Sequence, residues 1–332
     1  MGIEQSMGEI EQRIFEVDER SFEQLALEVF QYQAQHNEVY RRYIELLKID
    51  YSSISKIDEI PFLPISLFKT HTVYAGVGAP EATFSSSGTT GVETSKHNVA
   101  KLSVYETSFL NGFKLFYGNP KDYCILALLP SYLERQGSSL VYMVQRLIEE
   151  SGHKSSGFFL NNHDELVRIL LEQEKINQPT VVVGVTFALL DLANRFTLNL
   201  SNTVVMETGG MKGRGKELVR SDMHDILKKS LGIKSVHSEY GMTELLSQAY
   251  SKGDGIFETP PWMKVLTRDP YDPFSLMSFG QSGAINVIDL ANIYSCSFIQ
   301  TDDLGMVYPN GTFAILGRMD GSQIRGCNLL VL

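Results

Sequence analysis

The sequence predicts an α/β fold built on a largely parallel sheet, followed by a small antiparallel β subdomain. Between residue 61 and about residue 210, short apolar runs alternate with amphipathic helical patterns. Such alternation is typical of βαβ units, whose strands pair in parallel. After about residue 280 the helical period disappears, and alternating or β-branched stretches lie between Gly and Asn turns. We therefore expect a helical region over 1–60, an α/β core over 61–280 and a β subdomain over 281–332.

Each region is predicted from its hydrophobic pattern. Residues 8–50 carry apolar side chains at helical spacing, such as Leu25, Val29 and Phe30, opposite a charged face. Pro61 and Pro64 interrupt this pattern and mark the entry into the core. In the core we predict helices over 102–116, 140–148, 166–170 and 187–196, and strands over 124–129, 180–185 and 203–207. In the β subdomain we predict strands over 284–289, 294–300 and 312–316.

Composition and charge exclude several classes of protein. The net charge is −10 and the isoelectric point is about 5.3, so we expect no nucleic-acid partner, because a phosphate backbone requires a basic surface. No apolar run approaches the ~20 residues that cross a bilayer, and the N-terminus lacks the pattern of a secretory signal. The three cysteines are too scattered for a disulfide framework, and the seven histidines have no metal-ligand spacing. We expect a cytoplasmic protein with no membrane span and no structural metal.

The segment 85–91 contains only Ser, Thr and Gly and follows the apolar Phe84. Its glycines can adopt backbone angles that other residues avoid, so its amides and hydroxyls can surround phosphate oxygens. The segment does not match the Walker A pattern, because no Gly-Lys-Ser/Thr appears. Taken alone, it is equally consistent with a flexible linker. The residues assigned to a phosphate loop are Ser86, Ser87, Gly88, Thr89, Thr90 and Gly91.

Gly209 and Gly210 come directly after the predicted strand 203–207. A pair of glycines at this point allows a flat ligand to approach the backbone closely. A plain β-turn explains the same pair, and without other evidence it is the better explanation.

A second polar stretch, Tyr240-Gly241-Met242-Thr243-Glu244, also comes after a predicted strand. Tyr240 is able to stack on a base. Thr243 and Glu244 are able to meet phosphate and Mg²⁺, a hard cation that prefers oxygen ligands. The alternative is that Thr243 and Glu244 merely begin a helix, where hydroxyls and carboxylates are favoured.

Two further stretches are rich in charge and glycine. Asp302 and Asp303 follow the apolar Ile299, and adjacent carboxylates of this kind can accept hydrogen bonds from a ribose diol. An Asp-Gly turn between strands is a strong alternative explanation. Arg318, in the sequence Gly-Arg-Met-Asp, suits a hinge or a loop that faces phosphate.

The order of these stretches is more specific than any one of them. A hydroxyl/Gly loop, Gly-Gly after a strand, Tyr-Gly-x-Thr-Glu, Thr-x-Asp and Gly-Arg-x-Asp follow one another from about residue 61 to residue 327. In this order the chain resembles the adenylate-forming superfamily of acyl-CoA synthetases and phenylacetate-CoA ligases. Within that superfamily it is similar to the acyl-protein synthetases of bacterial fatty acid reductase complexes of the luminescence type. The resemblance implies the large N-terminal domain of the adenylate-forming fold, with a small antiparallel β subdomain.

The resemblance implies a reaction in which a carboxylate attacks the α-phosphorus of ATP and pyrophosphate leaves. On this chain, residues 86–91 would hold the β- and γ-phosphates, with Lys96 as a charge partner. Thr243 would contact the α-phosphate, and Glu244 would hold Mg²⁺. Positioning and electrostatics would supply most of the rate acceleration.

The nucleoside half of ATP would be bound by four other elements, as the resemblance implies. Gly209 and Gly210 would flank the adenine, and Tyr240 would stack on it. Asp303 would bind the ribose hydroxyls and Arg318 would support ribose or phosphate. Asp302 stands where the family usually has glycine, so either aspartate remains a candidate for the ribose.

The sequence departs from most of the superfamily at its C-terminal end. We expect the mobile C-terminal domain, which carries a lysine for adenylation and presents coenzyme A, to be absent. Acyl-protein synthetases that resemble this chain pass the acyl group to their own cysteine near the C-terminus, which implies Cys327, and then to a reductase. The alternative is that Cys327 packs with the apolar residues after it, whereas Cys124 and Cys296 lie in apolar patterns typical of a core.

Three functions remain open from the sequence. The first is an ATP-dependent acyl-protein synthetase for a fatty or other lipophilic acid, with a reductase or carrier protein as acyl acceptor. The others are an acyl- or aryl-CoA ligase without its small domain and a nucleotide-binding subunit of a reductase complex that does not catalyse. Candidate residues for an acyl channel are Tyr132, Phe158, Phe159, Val185 and Phe187, although aromatic residues at such places are more often core residues.

Overall fold

The structure, a computed structural model, describes residues 3–86, 94–130, 137–209 and 219–319. Its α-helices within these ranges are α1 (Ile3–Ile14), α2 (Phe22–His36), α3 (Glu38–Leu46), α4 (Leu67–Thr70), α5 (Leu102–Tyr117), α6 (Ser139–Ser151), α7 (His163–Lys175), α8 (Thr186–Arg195) and α9 (Arg220–Leu231). Its strands there are β1 (Leu63–Pro64), β2 (Ala82–Ser85), β3 (Lys96–Val99), β4 (Cys124–Leu128), β5 (Gly157–Phe158), β6 (Thr180–Gly184), β7 (Thr203–Glu207), β8 (Val236–Tyr240), β9 (Ala249–Ser251), β10 (Ile256–Phe257), β11 (Met263–Arg268), β12 (Ser282–Asp289), β13 (Phe298–Val307) and β14 (Phe313–Arg318).

The predicted parallel sheet is confirmed. Its strand order is β5-β4-β6-β7-β8-β9, and every neighbouring pair from β5 to β8 is parallel. Only the last pair, β8 with β9, is antiparallel among the described strands of this sheet. Strands β4 and β6 are buried along their whole length, which explains why they read as continuous apolar runs rather than as alternating patterns.

Helices cover both faces of this sheet. Residues of α5 and α6 pack on one face, and residues of α7, α8 and α9 pack on the other. Alternate residues of β4 divide between the two sides, with Ile125 facing the first group of helices and Leu126 facing the second. None of the helices within the described ranges is both long enough and apolar enough to cross a membrane.

The second sheet is antiparallel, as predicted for the C-terminal part of the chain. Its order is β10-β14-β13-β12-β11, and β1 adds to it by pairing in parallel with β13. Strands β1, β10 and β11 come from before residue 281, so this sheet draws on segments outside the range that we expect for the β subdomain. The division of the chain at residues 60 and 280 therefore stays a proposal.

The N-terminal helices pack against the second sheet. The ring of Phe30 on α2 meets Phe298 of β13 edge-on, with 5.9 Å between the ring centroids. The buried side chain of Gln33 donates to the carbonyl oxygens of Asn292 and Ile293, at 3.0 and 2.9 Å. These helices thus support the segment between β12 and β13.

The carboxylates of Asp302 and Asp303 lie inside β13, and not at a turn after a strand as the sequence suggested. Likewise, Arg318 is the last residue of β14 and pairs directly with Asp303. The pairing shifts register between Leu304 and Gly305. A Cβ at Gly305 would stand 2.5 Å from the carbonyl oxygen of Ala314, so β14 approaches more closely there than a side chain permits.

Candidate active site

The two sheets meet at the carboxyl end of β8. Tyr240 is the last residue of this strand, and its hydroxyl donates a hydrogen bond of 2.8 Å to Oδ2 of Asp303 on β13. The Tyr240 ring packs against Phe257 and Phe313, with centroid distances of 6.0 and 5.6 Å. The aromatic side chain is therefore fixed at the point where a parallel sheet normally binds its ligand.

Asp303 is held from three sides. Its Oδ1 lies 3.4 Å from Nε of Arg318, and its backbone amide donates to Oγ1 of Thr301 at 3.2 Å. Its neighbour Asp302 interacts instead with Arg268, a residue that is only 1% exposed. Burial lowers the pKa of the Arg268 guanidinium, and the negative charge of Asp302 partly opposes that shift. Of the two adjacent carboxylates, Asp303 is the one that meets Tyr240 and Arg318.

Thr243 and Glu244 lie in an irregular segment between β8 and β9, so they do not begin a helix. Glu244 is 6% exposed. Burial raises the pKa of its carboxyl, and a hydrogen bond from Ser95 and the positive charges of Lys69 and Arg318 oppose that rise. Lys69 on α4 and Arg318 on β14 therefore act on this carboxylate through their charge.

The strands that flank the Ser/Gly segment lead directly to Glu244. Ser86 follows β2, and its hydroxyl accepts from the amide of Ser95 at 3.0 Å, while its own amide donates to the Ser95 carbonyl at 3.0 Å. Lys96 begins β3 opposite Ser85, and its side chain is exposed. The predicted loop residues Ser87, Gly88, Thr89, Thr90 and Gly91 lie outside the described residues.

Gly209 follows β7, on the strand next to β8. Its φ of 72° belongs to the left-handed region, and a Cβ added there would meet no atom within 4 Å. Its amide donates to Oε2 of the buried Glu207 at 2.9 Å. Within the described residues, therefore, nothing fills the space beside this glycine. Gly210 lies outside the described residues.

Most of the described candidate residues fall into two groups of direct contacts, Ser86 with Ser95 and Arg318 with Asp303 and Tyr240, and Glu244 links the two groups through a hydrogen bond from Ser95 and the charge of Arg318. Lys96 and Gly209 lie on the flanking strands without a direct contact to either group. Ser95 and Lys69 were missed by the sequence analysis, because an isolated Ser or Lys carries no pattern.

The acyl channel suggested by aromatic residues is not supported as one group. Phe158 packs on the α5 side of the parallel sheet, whereas Phe159 and Phe187 pack on the α7 side. Their side chains thus pack in two different clusters, and only Val185 among the described candidates packs against both. Tyr132 lies outside the described residues.

The described cysteines are core residues, as predicted. Cys124 and Cys296 are both buried, and burial raises the pKa of their thiols to about 11 and about 12. Neither is available as a thiolate nucleophile at neutral pH. Cys327 lies outside the described residues.

The residues present fit a magnesium ion that is held mainly by phosphate. Within the described ranges, no three His, Cys, Asp or Glu side chains gather into a metal cluster. Glu244 stands there as a single carboxylate beside the hydroxyl of Ser95. Mg²⁺ commonly binds through one or two carboxylates together with substrate phosphates and water, and not in an all-protein cage.

Glu239 is a second carboxyl at the site that the sequence analysis missed. Burial and the charge of Glu207 raise its pKa to about 8. Its carboxyl lies against Gly241, where an added Cβ would collide with it. At neutral pH this side chain is therefore mostly protonated in the folded protein, and it would have to move if residue 241 carried a Cβ.

We expect Glu239→Gln to stabilise the fold at pH 8. The unfolded carboxyl ionises near its ordinary pKa of about 4.3, whereas the folded one does so near 8, so stability is lost as the pH rises between these values. The amide has no proton to lose, and we expect a gain of about 1–3 kcal/mol at pH 8 and less at pH 5. Urea unfolding at both pH values measures this, and an equal effect at both would contradict it.

Solved structures with the same architecture are adenylate-forming ligases, and the fold of this chain is theirs. The chain matches ATP-bound MatB from Rhodopseudomonas palustris with a TM-score of 0.53 and 19% identity, over 74% of this chain and 50% of that one. It matches a 2-hydroxyisobutyryl-CoA ligase in complex with its acyl-AMP with a TM-score of 0.65 and 13% identity, over 91% and 69%. The chain therefore spans about half the length of MatB.

The chain belongs to the LuxE acyl-protein synthetase family, whose model matches residues 12–332. It is 24% identical over 344 residues to a long-chain-fatty-acid–luciferin-component ligase of Aliivibrio fischeri, covering 95% of this chain and 89% of that protein. It is 23% identical over 325 residues to the protein of that name in Vibrio harveyi, covering 90% and 84%. The resemblance drawn from the motifs is thereby confirmed, and the chain is a ligase.

Proposed function

We propose that this chain is a cytoplasmic, ATP-dependent acyl-protein synthetase for a fatty or other lipophilic carboxylic acid. It forms the acyl-adenylate, transfers the acyl group to Cys327 and then passes it to a partner reductase or carrier protein. The observation that supports this proposal most strongly is the hydrogen bond between Tyr240 and Asp303. It brings an aromatic ring next to a carboxylate at the end of the parallel sheet. The names of the two curated relatives support the fatty acid and the protein acceptor.

The first half-reaction is an in-line displacement. A carboxylate oxygen of the acid attacks the α-phosphorus of ATP, the bond to the bridging oxygen breaks, and pyrophosphate leaves with that electron pair. Thr243 contacts the α-phosphate, and Glu244 would hold Mg²⁺, which would neutralise charge on the triphosphate. Lys96 and residues 86–91 hold the β- and γ-phosphates. The position of Ser86 beside Ser95, which itself bonds Glu244, supports this arrangement.

The nucleoside is bound by the residues around Tyr240. Its ring lies against the adenine, with Gly209 and Gly210 alongside. Asp303 accepts from the ribose hydroxyls, and Arg318 supports ribose or phosphate. The contacts of Asp303 with Tyr240 and Arg318 favour it over Asp302, whose charge acts on Arg268.

In the second half-reaction the Cys327 thiolate attacks the carbonyl carbon of the acyl-adenylate. The thioester bond forms, and AMP leaves with the electrons of the broken carbon–oxygen bond. Cys327 is eight residues beyond Met319, whose amide donates to the Asp302 carbonyl at 2.7 Å. An extended chain of that length spans up to about 29 Å, so it is long enough to return to the site.

A pyrophosphate exchange assay tests the activation step. We expect labelled pyrophosphate to enter ATP only when Mg²⁺ and a lipophilic acid are both present. Saturated fatty acids of increasing length serve as the panel, and acetate serves as a short control. Exchange with none of the acids would overturn the proposal, and release of free acyl-CoA with coenzyme A would favour an acyl-CoA ligase instead.

A further inference from the structure

The segment from Thr243 to Ser247 belongs to no helix or strand, yet all of it after the half-buried Thr243 is buried. Leu245, Leu246 and Ser247 are almost fully excluded from solvent. Buried backbone amides and carbonyls require hydrogen-bond partners, and an irregular segment cannot find all of them in a neighbouring strand. The hydrogen-bond partners of this segment therefore fix the position of its backbone.

Asp289 provides the hydrogen-bond acceptors for the second half of the segment. Its Oδ2 accepts from the amides of Leu246 and Ser247 at 2.8 and 2.9 Å, and its Oδ1 accepts from the Ser247 hydroxyl at 2.5 Å. Its Oδ1 also accepts from the amide of Ala291 at 3.2 Å. One carboxylate at the end of β12 thus ties three groups of the segment to the second sheet.

His97 and Asn292 provide the hydrogen-bond donors for the first half of the segment. Nδ1 of the buried His97 donates to the Thr243 carbonyl at 2.8 Å, because a carbonyl can only accept. Nδ2 of Asn292 donates to the Glu244 carbonyl at 2.7 Å. Each of these two carbonyls thus has a buried side chain as its partner.

These three partners come from both sides of the site. His97 lies on β3, two residues after Ser95, whose hydroxyl bonds Glu244. Asp289 and Asn292 lie at the end of β12 and in the 3₁₀ helix after it. The carboxylate of Asp289 is fully buried, and hydrogen bonds alone oppose the effect of burial on its pKa, which rises to about 6. A buried carboxylate is costly unless it is hydrogen-bonded, and the four hydrogen bonds that Asp289 accepts from Leu246, Ser247 and Ala291 offset that cost.

We propose that Asp289 is a positioning residue that, together with His97 and Asn292, sets Thr243 and Glu244 against the phosphates of ATP. This role rests on the proposed function, because it presumes that Thr243 and Glu244 meet the phosphates. The three side chains fix the backbone on either side of Glu244, so its carboxylate is preorganised before the nucleotide binds.

Asp289→Asn is the first test, because it keeps the volume but replaces one of the two acceptor oxygens with a donor, which then faces either the two amides of the segment or the amide of Ala291. We expect hydrogen exchange at the Leu246 and Ser247 amides to become about 10- to 100-fold faster, as local opening costs less. We expect kcat of pyrophosphate exchange with tetradecanoic acid to fall about 10- to 100-fold. KM for ATP should change less than about threefold, since the residues around Tyr240 are untouched.

Ser295→Ala is the matched control. It removes another buried hydrogen bond, from Ser295 to the Val73 carbonyl, that does not touch the segment. We expect it to leave both the amide exchange of residues 243–247 and kcat within about twofold. If the control lowers kcat as much as Asp289→Asn does, the role of Asp289 is a general structural one and the proposal is overturned.

His97 provides an independent test if Asp289→Asn does not fold. His97→Gln can still donate to the Thr243 carbonyl, whereas His97→Phe cannot. We expect the Phe variant to lose kcat and amide protection and the Gln variant to recover most of both. Equal behaviour of the two, or unchanged amide exchange in every variant, would overturn the positioning role. Absence of pyrophosphate exchange in the wild-type protein would instead overturn the proposed function.

Discussion

Cys327→Ser is expected to abolish the acyl-enzyme while leaving activation intact. Wild-type protein incubated with ATP, Mg²⁺ and tetradecanoic acid should gain the mass of one acyl group, in an adduct that hydroxylamine removes. A serine hydroxyl is a far weaker nucleophile than a thiolate, so we expect at least about 100-fold less adduct in the variant. Pyrophosphate exchange should remain within about threefold of wild type, because it requires only the first half-reaction.

The other two cysteines supply the controls for this experiment. Cys124 and Cys296 are buried in the core, with thiol pKa values raised to about 11 and about 12. We expect Cys124→Ala and Cys296→Ala to form the adduct as the wild type does, at some cost in stability. An adduct of undiminished amount on Cys327→Ser, or one lost only with a core cysteine, would contradict the assignment.

Asp303→Asn is expected to lower kcat/KM for ATP in the exchange reaction by about 100-fold. Hydrogen bonds to a charged acceptor contribute about 1.5–3 kcal/mol each, and a ribose diol offers two donors. The substitution also removes the charge that Arg318 approaches at 3.4 Å. Steady-state exchange kinetics at varied ATP concentration measure this loss.

Asp302→Asn is the matched control, one residue away on the same strand. Its side chain does not belong to the group formed by Tyr240, Asp303 and Arg318. Its charge acts on the buried Arg268 instead. We expect a loss of less than about threefold in kcat/KM, with thermal unfolding used to correct for any change in stability. Equal losses in the two variants would mean that Asp303 has no special contact with the nucleotide.

The strands and helices of the parallel sheet could be predicted because their signals are local. Strand β7 was predicted over 203–207 and β6 over 180–185, since apolar β-branched runs between turn residues are typical of buried strands. The structure has β7 over Thr203–Glu207 and β6 over Thr180–Gly184. The sequence analysis places Tyr240 just after a strand, and the structure has it as the last residue of β8.

The features that depend on distant partners could not be predicted. Asp303 lies within β13 because β14 pairs with it across a register shift at Gly305, which no local pattern reveals. Asp289 contacts residues more than 40 positions away in the sequence, and its only local signal is an acid at the end of an apolar strand. Glu239 differs from an exposed glutamate only through the burial that the fold imposes.

A crystal structure with a non-hydrolysable acyl-adenylate analogue, such as a tetradecanoyl sulfamoyl adenosine, tests the central claim most directly. The claim is that Tyr240, Thr243, Glu244 and Asp303 form one site for an acyl-adenylate. We predict ribose hydroxyls within hydrogen-bond distance of the Asp303 carboxylate, adenine against the Tyr240 ring, and the sulfamoyl group beside Thr243. An analogue bound away from the end of β8, or a ribose held without Asp303, would contradict the claim.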